Sequence, residues 1–194
     1  MPTIANTPLL ICSRASLLIG GDAISSFSDS TAEATVANAV YEDIAQGLLT
    51  STRWRFASKQ AQLTRNGTAP LTRWDASYAL PADSLMISVI TIQDLPIEYD
   101  IYEGNAFCDA TTSDTVIADY IFRADEANWP SYFITGVELS VASMLAMSVA
   151  RDASLATAFE EKAERQLIKA RRLDSQQQTT RKLHTSRFIA ERRS

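Results

Sequence analysis

The apolar positions of this 194-residue chain change their spacing twice along its length. Near the start they recur at helical spacing, and Thr7-Pro8 are suited to cap and begin a first helix that ends at Gly20-Gly21. A second helix is predicted to begin at Ser30, because Glu33 stands three residues later, as in a capping box. Residues 1–52 are therefore expected to supply two helices.

Short runs rich in Val, Ile, Tyr and Phe fill residues 53–128 and are separated by turn residues. Asn66-Gly67 is the strongest turn signal among them, because both residues tolerate the positive φ that a tight hairpin needs. Pro81, Pro96 and Gly104 break the later runs. A spacing of about eight to twelve residues between turns predicts a small antiparallel sandwich or barrel.

Helical spacing returns in residues 129–173, where two further helices are predicted. Asn128 and Pro130 are suited to open the third helix, and a short connection from Arg151 to Ser154 follows it. The apolar stripe of the third helix consists of Phe133, Val137, Val141, Met144, Leu145 and Val149. The fourth helix carries on one side Leu155, Phe159, Ala163, Leu167 and Ala170. Each helix thus has one face to bury.

The stretch from Tyr132 to Ala150 is apolar and about long enough to span a bilayer. Glu138 lies inside it, and its bulkiest residues fall on one stripe. We therefore expect a buried central helix and no membrane span, with Glu138 paired to another helix or to a neighbouring subunit. The first ten residues have no basic region before their apolar run, so a signal peptide is not expected.

The order of these segments predicts an α+β fold. We expect a four-helix bundle with a small antiparallel β module inserted between helices 2 and 3, and an extended C-terminal tail. The two helix pairs lie far apart in sequence, and neither pair alone is expected to bury its apolar face. The predicted divisions are 1–52 for the first half of the bundle, 53–128 for the β module, 129–173 for the second half, and 174–194 for the tail.

Four aromatic residues stand where helix and sheet are predicted to meet: Trp54, Phe56, Trp129 and Phe133. Large aromatic rings at such junctions usually anchor the packing between modules, because they bury much apolar area. We expect that role for all four, with the binding of a small ligand as the alternative.

The charge of the chain is divided between two opposed regions. Residues 1–161 hold eight basic and twenty acidic side chains, a net of −12, whereas Lys162–Ser194 holds ten basic and three acidic, a net of +7. Such asymmetry is typical of a tail built for an acidic partner. Bulky apolar residues become scarce after Leu173, so residues 174–194 are expected to be disordered until a partner binds them.

Residues with catalytic or metal-binding chemistry are few. Cys12 and Cys108 fit no metal or redox spacing, and the single histidine, His184, lies in the predicted tail. The sequence holds no G-x-S-x-G, Walker A or G-x-G-x-x-G motif. We therefore expect no enzyme, no cofactor and no metal, and we interpret both cysteines as buried free thiols.

Several short motifs follow one another in an informative order. Two helices precede WRFA at 54–57, YALPADSL at 78–85 and YEG at 102–104, and a PSYF helix then leads to a helix ending in KARRLDSQQ at 169–177. This order resembles the head-to-tail adaptor proteins of tailed bacteriophages, in particular the tail tubular protein A type of short-tailed phages. The resemblance runs from about Thr7 to the tail.

The resemblance implies a structural protein of the virion neck that is made in the host cytoplasm. Such adaptors form a ring of roughly twelve copies under the portal protein ring and carry the next tail component, a nozzle or stopper, on the opposite face. Double-stranded DNA passes through the ring without specific contacts. The helical bundle contacts neighbouring copies, and the C-terminal segment grips the portal. On this chain the implied portal-binding residues are Arg181, Lys182, Arg187, Phe188 and Ile189.

Three other functions make different predictions. A nucleic-acid-binding protein would use the same basic tail on phosphates, and its affinity would fall with salt. Another minor tail or stopper protein would share the structural class. A tail hydrolase acting on cell wall or polysaccharide would need a cleft with paired carboxylates.

Overall fold

The computed structural model describes residues 6–71 and 73–177. Over these residues the fold is mixed α+β, with four α-helices and two small antiparallel sheets. The helices are α1 (Pro8–Leu18), α2 (Ala32–Thr50), α3 (Ser131–Ser148) and α4 (Ala153–Ser175). The strands are β1 (Ser58–Gln62), β2 (Thr64–Arg65), β3 (Ala76–Ala79), β4 (Ser84–Ile92), β5 (Leu95–Pro96), β6 (Asp100–Tyr102), β7 (Asn105–Cys108) and β8 (Val116–Phe122).

The first helix begins and ends as its sequence predicts. Thr7 Oγ1 accepts a hydrogen bond from the Leu10 N–H at 3.2 Å. Pro8 occupies the first helical position, where a missing N–H breaks no helical hydrogen bond. Beyond the end of α1, Gly20 has a φ of +83°, which glycine adopts without strain.

The second helix begins one residue later than predicted. Its cap is Thr31, whose Oγ1 accepts a hydrogen bond from the Ala34 N–H at 3.3 Å. Glu33 therefore falls at the second helical position, and the predicted capping box between Ser30 and Glu33 is wrong. Two adjacent hydroxyl residues made the pattern ambiguous, because serine and threonine are both favoured caps.

The third helix is the central one, in contact with α1, α2 and α4. The fully buried residues of its stripe are Phe133, Val137, Val141 and Leu145. Gly136 allows α4 to approach closely, since a Cβ atom there would lie 2.7 Å from Leu167 Cδ2. By length and composition α3 could cross a membrane, but a core helix has the same properties, and α3 packs against three other helices.

The fourth helix runs to Ser175, two residues beyond the boundary that the sequence predicts. The expectation that residues 174–194 lack structure is therefore wrong for Asp174 and Ser175. Asp152 caps the helix, its Oδ1 accepting hydrogen bonds from the backbone N–H groups of Ser154 and Leu155. The buried positions on the predicted apolar side are Phe159, Ala163, Leu167 and Ala170. Residues 178–194 of the predicted tail lie outside the described residues.

The strands form two four-stranded antiparallel sheets within the described residues. One has the order β1-β8-β4-β5 and the other the order β2-β3-β7-β6. Ile90 and Ala118, which pair across β4 and β8, join Tyr78 and Ala106 of the second sheet in one buried apolar cluster. A separate cluster holds the buried residues of the helices and of the segments that join them to the sheets. The β region therefore has a core of its own.

The predicted tight hairpin at Asn66-Gly67 is wrong. The strands β2 and β3 do pair, but β3 begins only at Ala76, so ten residues connect them. The Asn66 N–H instead continues the pairing by donating to the Ser77 carbonyl at 2.8 Å. Its side-chain amide donates to Asn105 Oδ1 at 3.0 Å, so the asparagine is held by neighbouring strands.

Candidate interaction surfaces

The four aromatic residues singled out in the sequence meet where the helices join the sheets. Phe133 lies at the centre, with its ring centre 5.0 Å from those of Trp54, Phe56 and Trp129. Both indole N–H groups donate to backbone carbonyls, at 2.8 and 2.9 Å. The cluster connects α3 to the turn that enters β1 and to the segment that precedes α3. These rings therefore pack the β region against the helices.

A polar network lies next to the aromatic cluster. Arg123 lies just after β8, and its Cζ atom is 5.3 Å from the centre of the Trp129 ring. The same side chain donates to both Glu42 carboxylate oxygens, at 2.8 and 2.9 Å. It also bonds to Glu126, which accepts a hydrogen bond from the Tyr41 hydroxyl at 3.0 Å. Burial and the nearby Glu126 carboxylate raise the pKa of Tyr41 above its usual range. The network fixes α2 to the end of the sheet.

Asp174 anchors the end of α4 at the same junction. Its side chain is buried, Oδ2 accepts a hydrogen bond from the Arg55 backbone N–H at 2.9 Å, and Oδ1 accepts one from the Tyr132 hydroxyl at 2.9 Å. Gln166 on α4 also donates to the Tyr132 carbonyl at 3.0 Å. The point from which the chain continues beyond Gln177 is therefore fixed relative to both the helices and the sheets.

Replacement of this anchor should weaken the fold. Asp174→Ala leaves the Arg55 N–H and the Tyr132 hydroxyl without their acceptor, and we expect a loss of about 1–3 kcal/mol in the free energy of unfolding. Asp174→Asn retains one acceptor oxygen and should cost less. Urea unfolding measures both, with Lys169→Ala on the exposed side of α4 as a control. Equal stabilities for Asp174→Ala and Lys169→Ala would contradict the anchor.

Tyr132 should make the stability depend on pH in the alkaline range. Burial, and then the hydrogen bond to Asp174, raise the pKa of Tyr132 from its usual 10 to about 12. Because the unfolded chain loses this proton at lower pH, the stabilisation is complete below pH 10 and is lost as the pH rises to about 12. Thermal unfolding should show a shallower alkaline decline for Tyr132→Phe than for the parent chain. Parallel declines would contradict this role of the hydroxyl.

An apolar groove, called the helix groove below, lies between α2, α3 and α4. It has a volume of about 420 Å³, and its apolar lining includes Ile44, Leu48, Met144, Met147, Ala163 and Leu167. Met144 and Met147 are 46% and 57% exposed, so the assignment of Met144 to the buried stripe of α3 is wrong. Glu160 and Glu164 line one side of the groove. Contiguous exposed apolar surface of this kind is typical of an interaction site.

A second surface lies on the sheet that contains β3 and β7. It is an open cleft of about 950 Å³ where Arg73 donates to Asp100 and to the Tyr102 hydroxyl, both at 2.7 Å. Trp74 Nε1 also donates to Asp100, at 3.2 Å, and the rings of Tyr102 and Phe107 pack 5.5 Å apart. Exposed arginine and aromatic side chains are enriched at protein interfaces. The cleft therefore has the composition of a protein-binding surface.

The five residues implied for portal binding lie outside the described residues: Arg181, Lys182, Arg187, Phe188 and Ile189. Glu138, the charged residue inside α3, does lie within the described residues. Arg14 on α1 donates to Glu138 Oε1 at 3.0 Å, which confirms the expected ion pair with another helix.

Reactive groups are scarce over residues 6–71 and 73–177. That range contains no group of three His, Cys, Asp or Glu side chains placed to hold a metal ion. Cys12 and Cys108 are free and fully buried, as the sequence predicts. Burial raises the pKa of the Cys12 thiol to about 12, which keeps it protonated at neutral pH.

No protein-family model matches the chain, and a search of curated proteins finds no match either. The resemblance to adaptor proteins therefore depends on the motifs themselves. Residues 54–57 form the aromatic turn before β1, residues 78–85 connect β3 to β4, and residues 169–177 end α4 at its anchor. All three motifs lie at junctions between elements.

Proposed function

We propose that this chain is a structural virion protein, a head-to-tail adaptor of a tailed bacteriophage. Copies of it form a ring under the capsid portal, join the portal to the next tail component, and leave a channel for DNA. In this proposal the four helices form a bundle, the β region is a module inserted between its halves, and residues 178–194 extend onto the portal. A stopper or another minor tail protein is the alternative within the same class.

The observation that carries the proposal is a basic C-terminal region that follows the anchored end of α4. The first 161 residues have a net charge of −12, and the 33 that follow have a net charge of +7. The anchor at Asp174 fixes the end of α4 at the junction of helices and sheets. Residues 178–194, called the basic segment below, follow it and hold five basic residues and one acidic residue. A segment that starts from one defined point and carries arginine beside apolar residues suits a protein partner with acidic and apolar surface.

The acidic body supports a role around DNA. A ring through which DNA slides should not hold its phosphates, and carboxylates that face a channel repel them. Exposed carboxylates occur on α2 at Glu42 and Asp43 and on α4 at Glu160, Glu161 and Glu164. The body of the protein is thus unsuited to retain the duplex, whereas the basic segment is reserved for the portal.

The end of α1 offers apolar contacts for a neighbouring copy. Leu17 and Leu18 are 56% and 48% exposed, and they follow one another at the last turn of that helix. Large exposed apolar side chains at a helix end fit the packing of one subunit against the next in a ring.

Electron microscopy of the chain with and without portal rings tests the proposal. We expect the chain to be monomeric or weakly associated alone, and to form a ring layer on the portal, where residues 178–194 of each copy bind their partner. A stable ring at low concentration without the portal would contradict ordered assembly. Portal rings without an added layer would contradict the adaptor function itself.

Nucleic-acid binding is the second candidate, and the ten basic residues from Lys162 onward are the observation that favours it. It predicts retention of duplex DNA at physiological salt, with an affinity that falls steeply as salt is raised. The acidic body counts against it. Binding of labelled duplex DNA across a salt series separates the two functions.

A further inference from the structure

We propose that the helix groove binds the chain's own C-terminal residues, with Phe188 and Ile189 seated between Met144 and Met147 and the arginines at 187, 192 and 193 beside Glu160 and Glu164. This intramolecular contact goes beyond the adaptor function and does not depend on it. It assigns an occupant to the groove and a binding site to Phe188 and Ile189.

The apolar lining of the groove is the first argument. Its walls come from three helices, and two of its residues, Met144 and Met147, leave about half of their side-chain surface exposed. Methionine side chains are flexible and pack against rings and branched chains of varied shape. A groove of about 420 Å³ suits one or two large apolar side chains.

Charge complementarity is the second argument. Glu160 and Glu164 stand one helical turn apart on the groove side of α4 and are exposed. Neither has an ion-pair partner within residues 6–71 and 73–177, whereas Glu161 between them pairs with Arg165 at 2.6 Å. Residues 187–193 read RFIAERR, which places arginines on both sides of two bulky apolar residues. The segment thus has both the apolar and the basic groups that the groove and its acidic side require.

The length of the chain is the third argument. The groove contacts α4 from Ala156 to Leu167, which lies roughly 15 to 32 Å back along the helix from Gln177 at a rise of about 1.5 Å per residue. The eleven residues from Gln178 to Phe188 span at most roughly 36 to 40 Å. Phe188 can therefore reach the groove of its own chain. A tethered segment has a high effective concentration, so this intramolecular contact is favoured over the same contact between two dilute copies.

Methionine methyl NMR tests the contact directly. The sequence has four methionines, and two of them, Met144 and Met147, line the groove. Met86 on β4 is 38% exposed and serves as an internal control, because it lies outside the groove. We expect the Met144 and Met147 methyl signals of the full chain to differ from those of a chain ending at Gln177, while the Met86 signal stays in place. Identical signals in the two chains would overturn the proposal.

Three further variants separate the contact from other causes. Phe188→Ala with Ile189→Ala should move the two groove signals to their positions in the shortened chain. Deletion of residues 178–185 leaves Phe188 within roughly 11 Å of Gln177, short of the groove, and should do the same. Replacement of those eight residues by Gly and Ser preserves the length and should preserve the parent signals. Loss of the contact in this last variant would overturn the intramolecular arrangement.

Dilution identifies the copy that supplies the segment. An intramolecular contact gives methyl signals that do not change with protein concentration, and this is the expected result. Signals that move toward those of the shortened chain on dilution would show that a second copy fills the groove, and would overturn the proposal in its present form.

Discussion

A chain that ends at Gln177 is expected to bind the portal ring at least about a hundredfold more weakly than the full chain, and to keep its fold. The change removes all five residues implied for portal contact, and the loss of two contacts of roughly 2 kcal/mol each already exceeds a hundredfold. The cut falls after Asp174, so the bonds from Arg55 and Tyr132 remain. Sedimentation with portal rings measures the affinity, and circular dichroism checks the fold.

A matched control separates specific docking from attraction by charge. A chain with residues 178–194 in scrambled order keeps five basic residues and one acidic residue in that segment. Specific docking predicts that the scrambled chain binds the portal as weakly as the shortened chain does. Binding by the scrambled chain at parental strength would assign the contact to charge alone. Parental binding by the shortened chain would remove the C-terminal segment from the interface.

Phe133→Ala is expected to lower the free energy of unfolding by about 3–5 kcal/mol. Phe133 is fully buried and contacts three other aromatic rings at 5.0 Å between ring centres, so its removal leaves a cavity where helices and sheets meet. A domain is typically stable by only about 5–15 kcal/mol, which makes this a large fraction of the total. Guanidinium unfolding followed by tryptophan fluorescence and by helical ellipticity gives the value.

Phe133→Leu and Ile168→Ala are the controls for this variant. Leucine keeps much of the buried volume, so Phe133→Leu should cost clearly less than the alanine change. Ile168 on α4 is 49% exposed, and its truncation should stay within about 1 kcal/mol of the parent. A Phe133→Ala variant as stable as Ile168→Ala would show that the aromatic cluster does not hold the helices to the sheets.

Elements with strong periodic signals were predictable from sequence. Most positions of the α3 stripe and of the apolar side of α4 repeat at helical spacing and are buried, whereas Val149 and Leu155 are half-buried and Met144 is exposed. The cap of α1 depends on local residues alone, and it was also predicted. The α2 boundary was missed by one residue, because Ser30 and Thr31 are adjacent and both are favoured helix caps.

Contacts between residues far apart in sequence were not predictable. Asp174 was assigned to the tail because its partners, Arg55 and Tyr132, lie 119 and 42 residues away. The bond that Arg123 makes to Glu42, 81 residues away, joins α2 to the end of the sheet. A charged residue at the end of an apolar stripe is the only local sign of such an anchor. The Asn66-Gly67 signal failed because long-range pairing with β3 and β7 decided its conformation.

The helix groove was also beyond the sequence pattern. Met144 continues the spacing of buried residues on α3, and nothing local shows that α2 and α4 leave a gap over it. The exposed fraction of a stripe residue depends on how closely the neighbouring helices approach. The helices α3 and α4 approach closely at Gly136 and Leu167, whereas the groove remains over Met144. Sequence period therefore predicts which face of a helix is apolar, and the packing decides how much of that face is covered.

The most direct test of the proposed adaptor function is the mass, by light scattering, of portal rings from the same particle mixed with the full chain. An adaptor predicts one complex with a fixed number of copies per portal ring, and no such complex for the chain that ends at Gln177. Free portal and free chain side by side, with duplex DNA retained by the full chain at physiological salt, would contradict the adaptor function and assign the basic segment to nucleic acid.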